Sequence, residues 1–137
     1  MGLVVDSSVV IAMERRGENV AQMLKHIAAL TGDQRSILSA VGLVELAHGI
    51  YRAQSSQVRL RREAFVQELL DVLEVYPFTK ETGMLAGKLD GEQQSRGIII
   101  PFADLLIGAT AMEIGYSVLT ANARHFRSIP GLTVIQF

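Results

Sequence analysis

Three carboxylates stand where this chain is otherwise apolar. Asp6 closes the short run Leu3-Val4-Val5, Glu45 lies inside Gly42-Leu43-Val44-Glu45-Leu46-Ala47, and Asp104 lies inside Pro101-Phe102-Ala103-Asp104-Leu105-Leu106-Ile107. An ionised carboxylate among hydrocarbon side chains is costly unless a cation or hydrogen bonds compensate it. Taken singly, Asp6 reads as an ordinary strand-to-helix turn and Asp104 as an ordinary helix-start residue. Glu45 is harder to explain, because glutamate is rarely buried without a partner. Taken together, three clustered acids repel one another, and such a cluster persists mainly where a hard divalent cation neutralises it. Mg²⁺ and Mn²⁺ favour oxygen ligands, keep several waters, and are held by a few carboxylates plus substrate phosphate oxygens. The chemistry that follows is hydrolysis of a phosphodiester, with water activated and both attacking and leaving oxygens stabilised. No side chain suggests a covalent nucleophile.

The acids need a scaffold that brings distant segments together. Leu3 to Val5, Ile37 to Ser39, Val75 to Phe78, Ser117 to Thr120 and Leu132 to Phe137 read as short buried strands, each a brief apolar run between turn or cap residues. Helical patterns lie between them. Ser7 or Ser8 is expected to cap a helix from Val9 to about Arg16, and Asn19 one from Val20 to about Leu30. Ala40 to Ala53 and Gln57 to Leu73 form a further pair, and Lys80 to Ser95 is ended by Gly97. Phe102 to Ile114 is apolar around almost its whole circumference, which predicts a helix packed on all sides. Alternating strands and helices imply a parallel sheet covered on both faces. Ligands of such sheets bind beyond the carboxyl ends of the strands, where Asp6 sits. Asp104 in the first turn of its helix and Glu45 early in another could reach the same cleft.

Composition narrows the class. A length of 137 residues predicts one domain, residues 1–137. The hydrophobic fraction of 49% is high, yet no apolar run approaches the roughly 18 to 20 residues a membrane span needs. The first apolar run is cut by Asp6 and carries no positive flank, so a secretory signal is not expected. The absence of cysteine excludes disulfides and thiolate metal sites and fits a cytoplasmic protein. A net charge of -1 supplies no global attraction to nucleic acid, so any such binding must rest on a local basic patch.

Two basic groups qualify. Arg124, His125 and Arg127 stand near the expected cleft and read as phosphate contacts or as surface charge. Arg52, Arg59, Arg61 and Arg62 read first as a solvated helix face, and second as a track for an RNA backbone. Glu45 and His48 form a Glu-x-x-His at helical spacing, but a di-iron bundle needs two copies and the chain has one. His48 is therefore taken as a cleft-edge or packed histidine, and His26 as exposed. A phosphoacceptor receiver domain fares poorly because Asp6 lacks an acidic neighbour, and a haloacid-dehalogenase-like phosphatase because Ser8 stands where a second aspartate is needed.

Four segments carry a family resemblance: Val4-Val5-Asp6-Ser7-Ser8-Val9-Val10-Ile11, Val44-Glu45-Leu46-Ala47-His48-Gly49-Ile50, Asp104-Leu105-Leu106-Ile107-Gly108-Ala109-Thr110-Ala111 and Leu119-Thr120-Ala121-Asn122-Ala123-Arg124-His125-Phe126. In order and spacing they resemble the signature segments of the PIN-domain family, and especially VapC-type toxins of toxin-antitoxin pairs. The resemblance implies a three-layer α/β/α sandwich with a central, mainly parallel sheet of four to five short strands. It implies a Mg²⁺- or Mn²⁺-dependent endoribonuclease, a homodimer held inactive by a small VapB-type antitoxin, acting on structured RNA such as tRNA or ribosomal RNA. Asp6, Glu45 and Asp104 match the family's first three metal-site acids. Asn122 stands where a fourth acid is common; an amide oxygen still ligates a hard ion but carries no charge. Ser7 and Thr120 match hydroxyls that hydrogen-bond around the acids. The competing reading is a catalytically weak RNA- or partner-binding module in which Asn122 has cost the site its activity.

Overall fold

The computed structural model describes residues 1–137. Five strands, β1 (Gly2–Val5), β2 (Arg35–Ser39), β3 (Glu74–Tyr76), β4 (Ser117–Thr120) and β5 (Val134–Gln136), form one sheet in the order β3-β2-β1-β4-β5. Every neighbouring pair is parallel, with Val4 opposite Ile37 on one side and Val118 on the other. Seven helices connect them: α1 (Ser7–Arg15), α2 (Val20–Thr31), α3 (Ala40–Tyr51), α4 (Ser56–Val72), α5 (Lys80–Gln94), α6 (Phe102–Ile114) and α7 (Ala123–Phe126). The expected three-layer sandwich is present, with a sheet that is wholly rather than mainly parallel.

Strand periodicity divides the core into two layers. Leu3, Val5, Leu38 and Leu119 face α1, α2, α3 and α4 through Val10, Met23, Leu46 and Leu69. Val4, Ile37 and Val118 face the other way, onto Leu89 of α5, Ile107 of α6 and Phe126 of α7. Together the two layers take up much of the high apolar fraction, and no helix is long and apolar enough to cross a membrane.

Most helix starts are set by the side chains the sequence offers. Asn19 and Gln22 form a reciprocal capping box, and Ser39, Ser55 and Thr79 cap α3, α4 and α5. The start of α1 differs from expectation. Asp6, not Ser7 or Ser8, holds the N-cap position and makes no side-chain cap bond; both serine hydroxyls are spent on acids instead. β3 stops at Tyr76 rather than Phe78, because Pro77 has no N–H for the next rung. β5 begins at Val134, since Leu132 closes a turn onto the Ile129 carbonyl. α6 is buried for most of its length from Leu105 onward, but Phe102 is 72% exposed, so its first turn stands clear of the core rather than packed on all sides.

Topology now fixes the place for a site. The chain runs outward from β1 to β3, then returns to the opposite side of β1 as β4. The crevice at the carboxyl ends of β1 and β4 is the switch point where open parallel sheets bind ligands.

Candidate active site

Asp6 follows β1 directly, and its N–H donates to the Leu119 carbonyl at 2.8 Å, extending the β1–β4 ladder by one rung. The residue is only 5% exposed. Thr120 Oγ1 donates to Asp6 Oδ2 at 2.8 Å and Ser8 Oγ donates to the same oxygen at 2.6 Å. Both donors therefore sit on Oδ2, and no protein donor reaches Oδ1. The two hydroxyls are in turn pinned by the backbone: Ser8 Oγ accepts from Ala121 N–H and Thr120 Oγ1 from Asn122 N–H, each at 3.0 Å. Asp6 thus has one oxygen fixed by the turn after β4 and one left for the crevice.

Glu45 projects from α3, where Ser7 Oγ donates to its Oε1 at 2.8 Å. Its carboxyl is held above the usual range by burial first, with the Ser7 hydrogen bond opposing and the charge of Asp6 adding to the rise. Asp104 sits in the first turn of α6, at the positive end of the helix dipole. Its carboxyl is nonetheless raised to about 6, chiefly by burial and then by the charges of Asp6 and Glu45, against a lowering by His125. The three acids are close enough to repel one another. None of the chain's ion pairs, His26–Glu18, Arg35–Glu74 and Arg61–Glu14, involves them.

The cleft so formed measures about 630 Å³ and is lined by Asp6, Ser7, Ser8, Glu45 and Asp104 together with Asn122, Arg124, His125, Arg127 and Gln136. Thr120 is fully buried beneath Asp6. Every expected site residue is therefore at the cleft or directly under it. Asn122 occupies the N-cap position of α7 but makes no side-chain cap bond, so its amide is not consumed by that role.

The donor set suits a hard cation. It consists of carboxylate, amide and hydroxyl oxygens, it has excess negative charge, and one Asp6 oxygen is unengaged. No three His, Asp or Glu side chains are gathered tightly enough to hold an ion among themselves.

Other sequence candidates fall away from the cleft. His48 is exposed on α3 rather than packed, so Glu45 and His48 do not form a joint site. His26 is exposed and meets Glu18 at 3.0 Å. The arginines are not a uniformly solvated face: Arg61 pairs with Glu14 at 2.7 Å, Arg62 donates to the Gly49 carbonyl at 2.7 Å, and Arg59 lies over the Tyr51 ring. Two residues escaped the sequence reading. Ser8 shows its role only once β4 is beside β1, although the Asp-x-Ser spacing was a usable signal; Gln136 carried no local signal at all.

A family model for the PIN domain matches residues 3–132. The chain belongs to the PIN domain family. Within it, the chain is 31% identical to Ribonuclease VapC1 of Rickettsia felis over 98% of this chain and 96% of that protein. It is 30% identical to the tRNA(fMet)-specific endonuclease VapC of Salmonella typhimurium over 73% of this chain and 74% of that one. The PIN fold here superposes on a chain of Rickettsia felis VapBC2, solved bound to a DNA fragment from their promoter, with a TM-score of 0.86 at 20% identity, covering 100% and 99% of the two chains.

Proposed function

We propose that this PIN domain is a VapC-like toxin, a Mg²⁺- or Mn²⁺-dependent endoribonuclease that hydrolyses RNA phosphodiester bonds with water as nucleophile. The observation that carries the reading is the convergence of Asp6, Glu45 and Asp104 on one cleft at the β1–β4 switch point, with no cation of the protein paired to them. Asp6 through Oδ1, Asp104 and Glu45 would hold a divalent ion in part through waters the ion retains, and Asn122 would add a neutral oxygen. Such an ion supplies Lewis acidity and a means of ionising water near neutral pH.

The rest of the chemistry belongs to the chain. Ser8 and Thr120 hold Asp6 in one orientation, and Ser7 does the same for Glu45, so the acids need not reorganise when substrate arrives. Arg124, His125 and Arg127 line the same cleft and are suited to bind the phosphates flanking the scissile bond. RNA therefore meets the positive charge of these residues and of the bound ion in one cleft. Structured RNA is the substrate class, with tRNA the first to try because the Salmonella relative is specific for a tRNA.

The same negative field fits the partner. A VapB-type antitoxin that inserts a basic side chain among the three acids would compete directly with the divalent ion. A cytoplasmic location accompanies an RNA substrate and a chain without cysteine.

Cleavage of a defined structured RNA, with and without chelator, tests the reading. Chelation should abolish cleavage and added Mg²⁺ or Mn²⁺ restore it. Equal rates in chelator would overturn the assignment.

A further inference from the structure

Gln136 is exposed on the edge strand β5, yet both ends of its carboxamide bond to backbone. Nε2 donates to the Ala121 carbonyl at 2.9 Å and to the Phe137 carbonyl at 3.1 Å. Oε1 accepts from Ala123 N–H at 3.4 Å. The bonds to Ala121 and Ala123 bracket Asn122, and they reach the turn because β5 pairs with β4 in a register that sets Gln136 opposite Thr120.

The helix that follows this turn cannot hold itself in place. α7 is four residues long, far shorter than a helix stable on its own, and Asn122 makes no cap bond to it. Gln136 satisfies its first N–H from outside, across the sheet. Phe126, fully buried, anchors the far end of α7, while Arg124 and Arg127 are exposed beside it and line the cleft. At the near end, Ser8 and Thr120 take the N–H groups of Ala121 and Asn122, and Gln136 alone takes the Ala121 carbonyl and the Ala123 N–H.

We infer that Gln136 is a positioning residue for substrate: its carboxamide tethers the 121–123 turn so that α7 presents Arg124 and Arg127 to RNA phosphates in the cleft that the acids line. This rests on the ribonuclease reading above. An amide is the fitting group, since the turn needs a donor for Ala121 and an acceptor for Ala123 from one side chain. A polar residue that merely solvates a sheet edge would make none of these bonds.

Gln136→Met keeps the reach of the side chain and removes all three bonds; Gln136→Ala removes the reach as well. Both variants of the full chain should raise KM for RNA about fivefold or more while kcat stays within about twofold, because the acids are untouched and the arginines meet the phosphates less firmly. Binding of RNA by the metal-free protein should show a flatter dependence of log K on log salt, by about 0.7 for each phosphate that the arginines no longer neutralise. Amide exchange should quicken at Ala123 and Arg124 and stay slow at Val118, a readout independent of activity. Unchanged KM and salt slope in variants of an RNA-cleaving protein would overturn this proposal alone. A wild-type protein that neither binds nor cleaves RNA would overturn the ribonuclease reading and this proposal with it.

Discussion

At the scale of single residues, the crowded acids of the site carry electrostatic strain that the proposed cation would relieve. Asp104 carries most of it, with its carboxyl raised from the ordinary 3.8 to about 6 by burial and by two neighbouring acids. A carboxyl whose folded value lies above its unfolded one stabilises the fold fully below the unfolded value and loses that contribution as pH rises through the folded one. Metal-free protein should therefore lose melting temperature between about pH 4 and pH 7, and Asp104→Asn should flatten that loss and melt higher at about pH 7. Cation binding needs the ionised form, so affinity for Mg²⁺ should fall as pH drops below about 6. Melting curves of both proteins across that range, without divalent ions, check the claim. A wild-type curve that rises with pH, or an Asn variant with the same slope, would contradict it.

At the scale of elements, α7 and the turn before it decide how many charges the site offers. Asn122 lies on the cleft with its amide free of capping duty. Asn122→Asp should therefore shift half-maximal cleavage to lower Mg²⁺ or Mn²⁺ by about threefold or more, since a charge replaces a dipole near the ion. Cleavage rates titrated against metal check this, and coincident curves would remove Asn122 from the ligand set. The elements also show what a sequence can and cannot reveal. Leu3-Val4-Val5 announced a buried strand, and Asn19 announced a helix start, because periodicity and capping are local. Ser8 bonds to Thr120 and Ala121 across more than a hundred residues, and Gln136 reaches Ala121 through strand pairing alone. Such roles exist only after the sheet order is set. The expectation that a serine caps α1 failed for the same reason: a carboxylate buried by tertiary packing claims a hydroxyl more strongly than a helix end open to water.

At the scale of the whole molecule, apolar surface is left over. Phe102 is 72% exposed at the start of α6 and Val44 is 67% exposed on α3, a helix packed against α6; Ile99, just before α6, is 80% exposed. Three such side chains on neighbouring segments give a second copy of the chain apolar surface to cover. The homodimer that the family resemblance implies would cover them, and because Phe102 is two residues from Asp104, it would set the two clefts close to the shared seam. Sedimentation at micromolar concentration should find a dimer, and Phe102→Arg should shift it toward monomer. A wild-type monomer would contradict this arrangement. The proposed catalysis depends on a divalent ion held by the acids that β1, α3 and α6 bring together. Calorimetric titration of Mn²⁺ into wild type and Asp6→Asn tests that most directly, provided circular dichroism shows both folded. Wild type should bind the ion, and Asp6→Asn should bind it at least about tenfold more weakly, as expected when a carboxylate at the centre of the site loses its charge. Equal affinity in the two proteins would contradict a metal site built on these acids.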